Sequence, residues 1–217
     1  MIDIVVNGTG PLGRMVFHLL ESDDRYRVRA FTADARYCSE PSLLGVPLIP
    51  HDDIVAAIPP DDAECVSALG GLGGWEARRA HAATMTALGY RHANYVHPSA
   101  VVQGEQTWGA NNIVFPFCTI GFGGVMGHDN VLREKVYLGH EHQVGDHTFI
   151  GVGATIGGGC SLDDGAYIAM GSTLTNDITV RSGAFIGIGS LLLKDALPNT
   201  RYYGHPARPD AEKGRGS

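Results

Sequence analysis

Ten histidines are spread through this 217-residue chain, and one of them stands beside a carboxylate in the run Leu138-Gly139-His140-Glu141-His142. An imidazole with an ordinary pKa of about 6.5 is suited to taking and returning a proton near neutrality, a contribution of about 10²–10⁴ in rate. His140 is therefore the candidate general base. A second cluster is Asn7-Gly8-Thr9-Gly10-Pro11-Leu12-Gly13, a GxGxxG run that follows an apolar segment and opens a helix. There, backbone amides and the helix macrodipole favour an anion such as a phosphate group. Gly8, Gly10 and Gly13 are candidate binding positions, with Asp34 at the end of the next strand for a ribose or base contact. Fewer than 95 residues is short for a complete dinucleotide fold, so a mononucleotide or nucleotide-linked group is expected.

Other chemistries fit less well. Cys38, Cys65, Cys118 and Cys160 show no CxxC spacing, which argues for packed thiols and against a zinc ribbon or redox pair. The GHx4H spacing of a β-helical zinc hydratase of the γ-carbonic-anhydrase type fails, because Gly145 stands five residues after His140. His142 and His147 have the spacing but fall on opposite sides of the wall, and no metal is expected. His142 is expected to be a hydrogen-bonded core residue, His97 and His205 to be structural, and His128 and His147 to be surface residues or acceptor contacts.

What positions His140 is a repeat. Stepping by six from Val96 gives Val102, Trp108, Val114, Ile120, Met126, Leu132, Leu138, Val144, Ile150, Ile156, Leu162, Ile168, Leu174, Val180, Ile186 and Leu192, all large and apolar. Neither a 3.6-residue helix nor an alternating strand has this period, whereas a β-helix does. Glycine often follows the aliphatic residue (Gly109, Gly121, Gly127, Gly139), where a corner with positive φ is expected. Small residues four positions after it (Cys118, Ala154, Cys160, Ala166) suit a narrow interior. His140, two residues after Leu138, is predicted to project outward.

The glycine loop needs a different frame. Residues 2–6 read as a buried strand, followed by a helix with apolar Met15, Val16, Leu19 and Leu20; further strands are expected near 27–31 and 63–69, and a helix over 75–88. The expected organisation is a Rossmann-like βαβ domain over 1–95, a parallel β-helix over 96–197, and a C-terminal extension over 198–217 whose end lacks fixed structure. Net charge is −7 with no Lys/Arg stripe, which argues against nucleic acid or anionic membrane as partner. The start, MIDIVV, lacks a basic n-region, and a cytoplasmic location is expected.

Together these segments resemble the sialic acid O-acetyltransferases and the nucleotide-amino-sugar N-acetyltransferases. The likeness rests on the glycine loop, the link Tyr95-Val96-His97-Pro98-Ser99-Ala100-Val101, the stretch from Leu138 to Asp146, and the ending Tyr203-Gly204-His205-Pro206-Ala207-Arg208. The resemblance implies a left-handed β-helix working as a homotrimer, acetyl-CoA (or another acyl-CoA) as cosubstrate, and a nucleotide-linked amino sugar as acceptor. It makes His140 the base and Glu141 the group that orients it. Gly158 would lie near the pantetheine with Met170 and Ile188 below. Where the chain leaves the helix, Lys194, Arg201 and Arg208 are expected either to meet the CoA phosphates or to form a solvated basic rim, and Pro206 belongs to the same C-terminal cofactor region.

Three features depart from that family. Pro11 and Leu12 replace the usual loop residues of GxGGHG, Phe149 stands where a second histidine is common, and Gly70-Gly71-Leu72-Gly73-Gly74 lacks the usual acidic-polar run, although Arg78 and Arg79 follow it. The alternatives are an acyltransferase for another small amine or hydroxyl acceptor, including a tetrahydrodipicolinate-type enzyme, and a non-catalytic trimeric scaffold.

Overall fold

The structure, a computed structural model, describes residues 1–70 and 74–210. The centre of the glycine-rich 70–74 run and the C-terminal end expected to lack fixed structure lie outside the described residues. The chain forms two compact units, divided between Asn94 and Tyr95.

In the first unit, β1 (Ile2–Asn7) pairs in parallel with β2 (Tyr26–Ala33) on one side and β5 (Glu64–Ser67) on the other. Helix α1 (Pro11–Glu21) begins directly after the loop, with Gly10 as N-cap and Pro11 in the first turn, where its missing N–H costs nothing. Its buried side is Leu12, Gly13, Val16, Phe17 and Leu20. Met15 and Leu19 are only half-buried, so the apolar stripe lies one position round from the sequence reading and includes Phe17. Beyond β2 come β3 (Ser42–Leu43), β4 (Val46–Pro50) and α2 (His51–Ala57), three elements the sequence reading missed. The sheet order is β3-β4-β2-β1-β5, and α3 (Trp75–Ala87) follows β5. The chain direction across the sheet reverses between β1 and β5. In open α/β sheets, the crevice beyond the strand ends at this point is the usual ligand site.

The second unit is a left-handed parallel β-helix built from two-residue strands. Face A stacks Val101–Val102, Thr119–Ile120, Tyr137–Leu138, Thr155–Ile156, Thr173–Leu174 and Leu191–Leu192. Face B stacks five strands from Thr107–Trp108 to Thr179–Val180, and face C eight strands from Tyr95–Val96 to Ala207–Pro209. The register step from coil to coil is eighteen residues, for example Thr119 to Tyr137 to Thr155, until the final coil, where Phe185 pairs with Arg201. The hexad residues from Val114 to Leu192 form one continuous core, flanked at its N-terminal end by partly buried Val96 and Trp108. Val102 departs from the pattern at that open end, where it is 38% exposed.

The corners differ from the sequence expectation in one respect. From Trp108 to Ile186, positive φ occurs three residues after each hexad residue, at Phe117, Asp129, Lys135, Glu141 and Gly159 among others, and not at the glycine that follows it. That first glycine is required for space. A Cβ on Gly139 would lie 2.5 Å from the Gly158 amide nitrogen in the coil above. Successive coils touch backbone to backbone there, and no side chain fits between them.

Candidate active site

His140 sits at the corner between faces A and B. Leu138 turns into the core and anchors the corner, Gly139 lets the next coil close over it, and Glu141 takes the positive-φ position at +53°. The Glu141 amide donates to the Phe122 carbonyl at 2.7 Å, and the Gly159 amide donates to the His140 carbonyl at 2.9 Å. The corner backbone is thus stitched from below and above.

His140 Nδ1 lies 3.0 Å from Glu141 Oε2. Because a carboxylate accepts, Nδ1 carries the proton, which leaves the lone pair on Nε2. The imidazole is stacked on the Phe122 ring, with centroids 5.5 Å apart and planes 14° from parallel. Its other side is Gly158, where an added Cβ would lie 2.4 Å from Nε2 and 2.6 Å from Cε1. The base candidate is therefore oriented by a carboxylate and set between an aromatic plate and a residue with no side chain. The Gly158 amide donates to Asn176 Oδ1 at 3.1 Å, so in this state its hydrogen bond is already made.

His142 points into the core and is fully buried. Its Nδ1 donates to the Gly139 carbonyl at 2.8 Å, and its ring fills the space over Gly124, where a Cβ would lie 2.0 Å from Nε2. Nε2 is buried with no partner, and burial holds the imidazole below its usual pKa. His147 lies 3.3 Å from Asp129, and His128 Nδ1 accepts the Ala110 amide at 3.0 Å, so both belong to the B/C corner. Phe149 is buried on face C, in a stack with Tyr167 at 4.9 Å that continues to Phe185 at 5.0 Å.

The remaining cofactor candidates separate into groups. Lys194 stands three coils beyond His140 on the same corner, in the column His140, Gly158, Asn176, Lys194. It lines a cavity of about 440 Å³ together with Leu193, Asp195, Tyr202 and Arg208. Met170 and Ile188 lie on the C/A corner, across face A from His140 within one chain, and are 53% and 70% exposed. Arg201 lays its guanidinium over the Phe185 ring on face C at 5.5 Å, and Pro206 is exposed at the turn joining the last two strands. Neither lines the Lys194 cavity.

In the first unit, two of the three loop glycines are required by the fold. Gly8 has φ of +123° and no room for a Cβ, which would lie 2.7 Å from the Ala68 carbonyl oxygen; at Gly13 it would lie 1.9 Å from that of Gly8. At Gly10 a Cβ would meet nothing within 4 Å. Asp34 caps a short 3-10 turn by accepting the Arg36 amide at 3.1 Å and pairs with the Arg36 side chain at 3.4 Å. Arg78 is buried, and Arg79 lies over the Trp75 ring.

A polar network beneath the loop was not found from the sequence. Buried Asn7 donates to Ser67 Oγ at 3.0 Å, its Oδ1 accepts from His51 Nε2 at 2.9 Å, and its carbonyl accepts from His81 Nε2 at 2.9 Å. Ser67 also meets His92 Nε2 at 3.1 Å. Burial keeps His51 and His81 below the usual histidine pKa, so both are neutral at pH 7. The available signal was modest: Asn7 directly follows the strand expected over 2–6, and Ser67 falls within the one expected near 63–69. The histidines come from elements far away in the chain.

Among the described residues, no group of three or more His, Cys, Asp or Glu is placed to hold a metal ion, and no helix is long and apolar enough to cross a membrane. The bacterial transferase hexapeptide (six repeats) family profile matches residues 141–176. No curated protein matched the sequence. Among solved structures, the chain is similar to PerB from Caulobacter crescentus, crystallised with CoA and GDP-perosamine, with a TM-score of 0.85 and 20% identity over 96% of this chain and 97% of that one. It is similar to the acetyltransferase domain of PglB from Neisseria gonorrhoeae in complex with acetyl coenzyme A (TM-score 0.84, 22% identity, 95% and 98% covered). WeeI from Acinetobacter baumannii AYE is alike to the same degree (TM-score 0.84, 21% identity, 96% and 100% covered). The chain thus shares with these proteins, over nearly its whole length, one fold: an α/β unit followed by a left-handed hexapeptide β-helix.

Proposed function

We propose that this chain is an acyl-CoA-dependent acyltransferase that uses acetyl-CoA and acylates the amino group of a nucleotide-linked sugar. The observation that carries the reading is the His140–Glu141 pair, with Nδ1 committed to the carboxylate and Nε2 left with its lone pair on a hexapeptide β-helix corner. In the reaction the acceptor nitrogen attacks the thioester carbonyl carbon while Nε2 takes the proton it loses. The carbon–sulfur bond then breaks, and the imidazolium returns the proton to the departing CoA thiolate. Glu141 holds the ring in the working tautomer and stabilises the imidazolium. No covalent enzyme intermediate is needed.

Support for the cosubstrate comes from Lys194 and Arg208, which flank one cavity on the column that carries His140. It also comes from similar structures that hold CoA or acetyl-CoA. The acceptor class is supported by the open space at Gly10, beside the first turn of α1, and by the GDP-perosamine bound by the similar PerB protein. The assembly is a homotrimer and the location cytoplasmic in this reading. The test is CoA thiol release with acetyl-CoA and a panel of UDP-, GDP- and dTDP-amino sugars. His140→Asn is expected to lower turnover about 10²–10⁴-fold with acetyl-CoA binding retained. A His140→Asn variant that turns over at the normal rate would remove the base assignment, and no release with any acceptor amine would remove the activity.

A further inference from the structure

We propose that Phe122 is a positioning residue for His140: it sets the plane of the imidazole that Glu141 alone leaves free to swing. This rests on the reading of His140 as the base. Phe122 is 53% exposed and does not belong to the β-helix core, so burial does not explain an aromatic side chain at this corner. Its ring contact is with His140, stacked at 5.5 Å and 14°. In the outward column of the A/B corner it lies directly below His140, and the residues above are Gly158, Asn176 and Lys194, none of them aromatic.

The geometry explains why the plate is needed. Glu141 grips only Nδ1, and its own side chain is 66% exposed. One hydrogen bond fixes the tautomer, yet permits rotation about the Nδ1···Oε2 line, which sweeps Nε2 through an arc. Gly158 above offers no side chain to stop that motion, because the ring occupies the place of its Cβ. Phe122 supplies the missing wall from the coil below, at a spacing that suits ring stacking. Its backbone serves the same corner, since its carbonyl accepts the Glu141 amide at 2.7 Å. Removing the ring opens a gap of about one coil spacing, 4.8 Å, into which the imidazole can tilt. A stack of this kind is worth a factor of about two to ten in the population of the aligned ring.

The experiment compares Phe122→Ala, Phe122→Leu and Phe122→Tyr in the full-length protein with two readouts. Steady-state kinetics separates kcat from the KM of acetyl-CoA. Diethyl pyrocarbonate modification, resolved to His140 by peptide mass spectrometry, reports access to the ring without any need for turnover. In the Ala and Leu variants kcat is expected to fall about two- to tenfold with KM within about twofold, and His140 modification to speed up several-fold. The Tyr variant, which keeps the plate, should match the wild type in both. An unchanged modification rate, an effect confined to KM, or an equal loss in the Tyr variant each overturns the proposal. His140→Asn run alongside separates the two ideas: if it remains active the base reading fails, while the modification rates still report on the stack.

Discussion

Gly158→Ala adds one carbon and two hydrogens to the chain, yet the structure places that carbon 2.4 Å from His140 Nε2, 2.6 Å from Cε1 and 2.8 Å from Cδ2. Comfortable contact between such atoms begins near 3.5 Å, so the ring must withdraw by about 1 Å. It cannot withdraw flat, because Phe122 is stacked behind it. The imidazole must instead rotate outward, which breaks the 3.0 Å bond to Glu141 and carries Nε2 off its line of attack. A misplacement of about 1 Å costs on the order of 10² in rate, and complete loss of general-base assistance sets a ceiling of about 10⁴. The expected fall in kcat is therefore about 10²–10³-fold from a substitution that removes no functional group.

Stability should move little. Gly158 has no positive φ, and Gly→Ala at a compatible backbone position gains about 0.4–1 kcal/mol through the unfolded chain. The assay pairs CoA release under saturating substrates with a thermal melt of the same preparation. Wild-type turnover in a folded Gly158→Ala protein would refute the geometry. So would a loss of turnover explained entirely by unfolding.

The other predictions concern the interior and the loop. His142 is buried neutral with its folded pKa below the unfolded value of about 6.5, so the unfolded state binds the extra proton first as pH falls; stability present above pH 6.5 is lost below it, by up to about 1.4 kcal/mol per pH unit. Denaturant midpoints between pH 7.5 and 5.5 should show this slope, and His142→Cys should flatten it; an unchanged slope in that variant would assign the acid sensitivity elsewhere, to His51 and His81 for instance. In the loop, Gly13→Ala should unfold the first unit at lower temperature, because a Cβ there collides with the Gly8 carbonyl, whereas Gly10→Ala should leave the melt unchanged and weaken only acceptor binding. Equal melting shifts for the two would contradict the division of labour among the glycines.

Much of the second unit was legible because a β-helix is written by a local rule. Each strand contributes one inward residue every six positions, so Leu138 and the outward setting of His140 follow from counting alone, as does the small interior. Elements that break a local rule were harder to read. Strand β4 carries Pro47 and Pro50 within five residues, which argues against a strand, and its place in the sheet comes from pairing with β2.

Positive φ at Glu141 was assigned by sequence logic to the preceding glycine. The glycine is there because the next coil passes within contact distance, a fact about a residue nineteen positions away. Likewise, nothing local to Phe122 connects it with His140, and nothing local to His51, His81 or His92 connects them with Asn7 and Ser67. Residue types and spacing by themselves determined the repeat, the glycine loop and the base candidate, since each depends on neighbours along the chain. Which glycine leaves room at the loop was decided by the close approach of Gly8 to Ala68 and of Gly13 to Gly8, whereas which ring faces His140, and that Met170 and Ile188 stand on a different corner, were decided by stacking at an eighteen-residue step, which brings together atoms that have no proximity in sequence.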